Sequence, residues 1–207
     1  MKNGNSYTMS GTITRFAILL ALVIVFQVWG SALKIGTVTL SFVLIPIVFG
    51  GIVLGPLWGA MLGLAFGAIT LVAGITGADG FTLVLFEDHP FYTSLICIVK
   101  AVAAGYVPAV VYRAIAKKNV VAGTVVSAAL APVINTGLFV AGALLLVRDT
   151  ISANFVDGTT VVYFVIIVCA GVNFLIEFAL NLVIAPALVR VVRAVENRRG
   201  GSDGENE

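Results

Sequence analysis

Four side chains within apolar stretches need a reason to be buried, Lys100, Asn135, Asn173 and Glu177, and Asn181 extends their pattern. The last three recur every four residues in "NFLIEFALNL", so on a helix they form one polar stripe. An ammonium, a carboxyl group and three primary amides are groups for recognition. The lysine supplies positive charge, and each asparagine can both donate and accept. They do not make up the parts of a reaction. No HExxH, GxSxG, Walker A or GxGxxG pattern occurs in the context its chemistry requires. His89, the single histidine, sits in "FEDHP" behind Glu87 and Asp88. Three consecutive residues do not easily face one ion, so this stretch reads as a solvated loop. Cys97 and Cys169 lie isolated in apolar runs and read as small packed hydrophobes. The expectation is a protein that is not an enzyme, with no catalytic residue, metal or cofactor.

The surrounding sequence sets the solvent. Of 207 residues, 60% are hydrophobic and 11% charged, and the mean hydropathy is +1.11. Soluble domains are nearer half apolar and a quarter charged. A chain this apolar cannot cover its core with polar surface, so the lipid bilayer is its expected environment. The net charge of +2 is spread over segment ends and forms no patch of the size a nucleic acid needs.

Six apolar segments carry the polar residues: about 12–29, 42–54, 57–75, 91–116, 120–147 and 159–192. The first follows Lys2 and Arg15 like a signal peptide. It is about long enough to span and more spans follow, so it reads as a retained helix. The second is short, and Pro46 and Pro56 point to a tilted or partly extended path. Pro108 and Pro132 should kink the fourth and fifth. In the third, Gly59, Gly63 and Gly67 are spaced for close helix approach. "SALKIGTVTLS" alternates over Thr37 to Ser41 and reads as a short strand or hairpin edge. The predicted fold is an all-α integral membrane protein of six transmembrane helices with a strand-like first outer loop. The predicted division is an N-terminal segment over 1–11, a membrane domain over 12–193 and a disordered polar tail over 194–207.

Charge sets the orientation. With the N-terminus inside, Lys2, Arg15, Arg113, Lys117, Lys118, Arg190, Arg193, Arg198 and Arg199 all lie on the cytoplasmic side. Only Lys34 and Arg148 lie outside, among Asp79, Glu87, Asp88, Asp149 and Asp157. This asymmetry puts both termini in the cytoplasm. Trp29, Tyr92 and Tyr163 then fall near the outer interface, and Trp58 and Tyr112 near the inner one. The three long loops emerge on the outer face, so a site opening outward is expected.

Depth then sorts the polar residues. At ~1.5 Å per helical residue, Lys100 lies roughly 14 Å from its outer end, Asn135 roughly 18 Å, Asn173 roughly 21 Å and Glu177 roughly 27 Å. Lys100, Asn135 and Asn173 would share the floor of one pocket between the fourth, fifth and sixth segments, capped by the loops. Asparagines also bond neighbouring helices to one another, and Lys100 either meets substrate or pairs with Glu177. Glu177 and Asn181 would lie lower, in a structural or coupling role. Phe81, Phe86, Phe139 and Phe155 are placed to stack on a flat ring or to pack the core. In the first segment, Ala17 and Ala21 form a small-xxx-small pair near the cytoplasmic end, where a partner helix could dock.

Six helices with cytoplasmic ends, the strand-like first loop and Ala17-x-x-x-Ala21 together resemble the substrate-binding S component of energy-coupling factor (ECF) vitamin transporters. "GTVTLSFVLIPIVFGGIVLGPLWGAMLGLAFG", "PVINTGLFVAGALLL" and "GVNFLIEFALNLVIAPALVRVV" are similar to stretches of its general branch, to which pantothenate, folate and riboflavin carriers are related. The likeness spans about residues 12–193. It implies a multi-pass protein of the bacterial plasma membrane that binds a vitamin outside and does not hydrolyse ATP. It also implies docking, through Ala17 and Ala21, on a transmembrane coupling subunit joined to two ATPase subunits. The implied site draws on the last three helices and the first, third and fifth loops. Lys100, Asn135, Asn173, Phe139 and Thr39 are the candidate substrate contacts. Lys100 favours an anionic vitamin, pantothenate- or folate-like, and the phenylalanines would suit riboflavin. The competing reading is a structural membrane scaffold, which has no use for a buried lysine under capping loops.

Overall fold

A computed structural model describes residues 9–32, 34–35, 38–39 and 42–201, with side chains over 11–30, 42–171 and 173–195. Five stretches are long and apolar enough to cross a membrane: Gly11–Gly30, Pro56–Ile75, Pro90–Ala116, Val120–Leu146 and Val161–Val195. They correspond to α1 (Met9–Ala32), α3 (Pro56–Ile75), α5 (Pro90–Ala116), α6 (Val120–Leu146) and a composite last helix. The last begins as α8 (Val161–Tyr163), passes through a π-helical run (Phe164–Gly171) and continues as α9 (Val172–Gly201). Their outward side chains are apolar, with Leu145 80% and Val183 76% exposed, as a lipid-facing surface requires. The protein is an all-α, multi-pass membrane protein.

The short second segment is α2 (Leu44–Leu54), helical throughout rather than partly extended. Pro46 falls in its first turn, where a helix needs no backbone donor, and Pro56 opens α3 at the position that favours proline. Between them, Gly55 has φ 117°, a backbone state that only glycine adopts without strain and that lets the chain reverse at once. Leu44, Ile47 and Val48 are buried, and α2 touches all five long helices. An eleven-residue helix suffices because α2 is surrounded by protein and not by the full lipid thickness. Pro108 and Pro132 lie inside continuous helices. Ser127 donates to the Pro108 carbonyl at 2.8 Å and so ties α6 to α5 at that point.

The glycine spacing in α3 has the predicted consequence. A Cβ at Gly59 or Gly63 would strike the backbone carbonyls of Gly105 and Ala101 on α5, and one at Gly67 would meet the Cys97 carbonyl at 2.6 Å. The two backbones are in direct contact, and this holds α5, and with it Lys100, in a fixed position. Gly63→Ala tests the contact. Removing a helical glycine stabilises by up to about 1 kcal/mol, but the clash with backbone costs about 1–3 kcal/mol. The net expectation is a lower melting temperature for the purified protein, and an unchanged or higher one would show that the helices can separate freely.

The outer connections are more ordered than loops. β1 (Lys34–Ile35) and β2 (Val38–Thr39) form an antiparallel ladder pairing Lys34 with Thr39 and Ile35 with Val38, as the alternation predicted. Thr37, Leu40 and Ser41 lie outside the described residues. The other two long connections contain helices, α4 (Gly80–Asp88) and α7 (Arg148–Phe155). Asp79 starts α4 by accepting from the backbone N–H groups of Phe81 and Thr82. α9 is helical through Gly201, into the polar tail, and residues 202–207 of that tail lie outside the described residues. Trp29, Tyr92 and Tyr163 are exposed, as interfacial aromatics should be, whereas Tyr112 is buried against Val48, Ile52 and Ala131 and packs the core instead.

Candidate functional site

The polar residues of α5, α6 and α9 converge on one carboxyl group. Glu177 is 1% exposed. Asn173, one turn above it, donates from Nδ2 to Glu177 Oε1 at 3.2 Å. Asn135 reaches Glu177 from α6, and the Lys100 ammonium on α5 is near enough for its charge to act on it. Among the described residues Lys100 forms no ion pair. Its Nζ instead lies 5.1 Å from the ring centroid of Phe139, a distance at which an ammonium is attracted to an aromatic face. Asn181 is buried one turn below Glu177 and donates to its backbone carbonyl at 2.8 Å.

The depth estimate is corrected by this arrangement. Asn173 and Glu177 do not divide into an upper and a lower site, because Glu177 belongs to the same cluster as Lys100 and Asn135. The π-helical run accounts for a small part of the difference. Bonds from i to i+5 pack more residues into each turn, so Phe164–Gly171 descends less per residue than an α-helix does. Everything after it sits higher than a uniform rise implies. Glu177, set below the cluster in the sequence analysis, lies at its centre, and its four-residue spacing from Asn173 was the available signal.

Aromatic rings roof the cluster. Phe139 meets Phe81 of α4 edge-on at 6.2 Å. Phe81 lies 5.0 Å from Phe155 of α7, which stacks on Phe164 at 5.9 Å. Three of the four phenylalanines singled out in the sequence thus join one array, together with Phe164, while Phe86 makes no ring contact among those described. The loop helices that carry the array are joined: Thr150, 2% exposed, donates from Oγ1 to Asp88 Oδ2. Asp88 is therefore more than a solvated loop carboxylate. Thr93 ties α5 to α4 by donating to the Leu85 carbonyl at 2.7 Å. Thr39, on β2, stands in the connection that touches α1 and α9; its side chain lies outside the described residues. Ala17 and Ala21 are elsewhere, on the outward face of α1.

A half-buried cation under an aromatic roof, bordered by amides and lacking a carboxylate partner, is suited to holding a small polar molecule. The family model for the substrate-specific component of ECF transporters matches residues 11–189. The chain belongs to this family. No curated protein matches it. As an ECF S component it is a transporter subunit that takes a small-molecule substrate and works with coupling and ATPase subunits. The matched span of the S component includes the Glu177 cluster, the roof and Ala17 with Ala21. The joint in the roof is open to test. Thr150→Val removes the hydroxyl but keeps the side-chain shape, at a cost of about 1 kcal/mol. The S component should then release bound ligand several-fold faster, as read by dissociation kinetics, with little change in association rate; an unchanged off-rate would mean that α4 and α7 stay closed without this bond.

Proposed function

We propose that this S component captures an anionic water-soluble vitamin, pantothenate- or folate-like, at the outer face of a bacterial plasma membrane. Delivery inward follows docking on the coupling and ATPase subunits. The observation that carries this reading is the state of Lys100. A cationic side chain within an apolar bundle ordinarily pairs with a carboxylate or marks a functional site. Lys100 leans on Phe139 instead and leaves its charge for an anion from outside the protein. Asn135 and Asn173 stand beside it as further contacts, Phe139 supplies a ring face, and Thr39 of the first outer connection is a further candidate contact. The work is binding and transport, with no chemistry performed on the substrate.

A second reading keeps the site and changes the ligand. Phe81, Phe139 and Phe155 form a continuous aromatic surface that suits a flat ring such as riboflavin. Purification followed by mass spectrometry of co-purified small molecules, with a thermal-shift panel of pantothenate, folate and riboflavin, separates the two. A carboxylate vitamin that raises the melting temperature supports the first reading, and co-purified riboflavin identified by its mass supports the second. If no vitamin in the panel raises it, the binding reading fails.

A further inference from the structure

The cluster around Glu177 has more acceptors than donors. Asn135 Oδ1, Asn173 Oδ1, Glu177 Oε2 and Asn181 Oδ1 are buried and have no hydrogen-bond partner in the protein. Asn135, Glu177 and Asn181 are 5%, 1% and 2% exposed. Buried polar groups are nearly always paired, and an unpaired one costs about 1–3 kcal/mol. Every unpaired atom here is an oxygen. A proton on Glu177 would satisfy at most two of the four, itself and one amide. Lys100, the nearby cation, is turned toward the Phe139 ring. The cluster therefore lacks donors, and it lies between α6 and α9, where the substrate is proposed to bind.

We propose that Glu177 contacts the substrate directly, and that the buried end of the substrate carries hydrogen-bond donors, hydroxyl or N–H groups, directed at Glu177 Oε2 and the amide oxygens of Asn135 and Asn173. This rests on the substrate-binding reading and narrows it. An anionic group at Lys100 is then one of two requirements, and a carboxylate without donors is a poor ligand. The ligand class is amphoteric in hydrogen bonding: acceptor or anion toward α5, donors toward α9. Discrimination of this kind is strong, because a ligand that lacks the donor leaves buried protein oxygens unpaired.

Isothermal titration with purified protein tests it. The probes are pantothenate, folate and riboflavin, and for whichever binds, its derivative with the hydroxyl or ring N–H groups methylated. The proteins are wild type, Glu177→Gln and Asn181→Ala, with the melting temperature of each ligand-free protein recorded. Glu177→Gln keeps the side-chain volume, and its amide replaces one oxygen with donors that cannot receive the ligand's N–H or O–H. We expect it to weaken the parent vitamin about tenfold or more while Asn181→Ala stays within about threefold. The methylated derivative should lose a similar factor on wild type and little further on Glu177→Gln, since the two changes remove one interaction. Equal losses of the derivative on both proteins would reflect only bulk, and would overturn the proposal. So would full affinity of the derivative for wild type, a result that stands even if Glu177→Gln fails to fold. If no probe binds wild type, the substrate-binding reading falls first and takes this one with it.

Discussion

Lys100→Ala lowers the affinity for a carboxylate vitamin by roughly 10- to 100-fold and leaves the ligand-free protein folded. The magnitude follows from removing one charge-assisted hydrogen bond in a site screened from water, about 1.5–3 kcal/mol. The tolerance of the fold follows from what Lys100 touches. It holds no carboxylate in a direct ion pair, so its loss breaks no salt bridge and removes only a longer-range attraction to Glu177. What is lost is a contact to the Phe139 ring, worth about 0.5–2 kcal/mol. Helix α5 remains fixed by the glycine contacts with α3, which lie on another face. Titration calorimetry beside a melting curve separates the two effects. Unchanged affinity would remove Lys100 from the site, and riboflavin bound equally by both proteins would establish the flat-ring reading. Lys100→Arg is a useful companion, since it keeps the charge but carries it on a planar fork of different reach.

The parts of the site differ in how far the sequence revealed them. α5 and α6 fall within a residue of the predicted segments because strong local signals bound them. Pro90 opens one, and Lys117 with Lys118 follows it. Asn119 caps the other by accepting from the Ala122 N–H. Lys100 and Asn135 were legible for the same reason: a polar residue in such a run is conspicuous wherever the ends are fixed. The last helix was different. Nothing in "FVIIVCAG" distinguishes i+5 from i+4 bonding, since all eight residues suit any helix. The choice between the two depends on packing against α6. That choice shifts Glu177 only slightly; it is the packing of α9 on α6 that brings Glu177 beside Asn135. The roof was partly legible. Phe81, Phe139 and Phe155 could be named, but that they form one array depends on helices α4 and α7, each under ten residues long and therefore without a clear period. The Asp79 cap was the overlooked sign that the third connection is helical.

Ala17→Trp and Ala21→Trp should abolish assembly with the coupling subunit while vitamin binding stays within about twofold of wild type. The two halves of this expectation come from opposite faces of α1. Leu19 and Val23 are buried against the bundle, and Phe16 meets Trp58 at 5.0 Å, so these positions hold α1 to α2 and α3. Ala17 and Ala21 are exposed one turn apart on the other side, among outward Ile18 and Ile24. A tryptophan there grows away from the bundle and does not disturb the cluster of α5, α6 and α9. The outward face is apolar on both sides of the alanine pair, so the pair is a shallow groove in an otherwise bulky surface. Within a membrane there is no hydrophobic gain from pairing two apolar helices, and association depends on how closely their backbones approach. Two methyl side chains at four-residue spacing allow that approach, and one indole fills the groove and holds a partner helix away. Pull-down of the coupling subunit in detergent, with thermal shift on the same preparations, reads both halves at once. Intact assembly in either variant would place the docking face elsewhere on the bundle. Lost assembly with lost binding would mean that α1 is part of the support of the site. Lost assembly alone would separate capture from delivery on two faces of one small bundle.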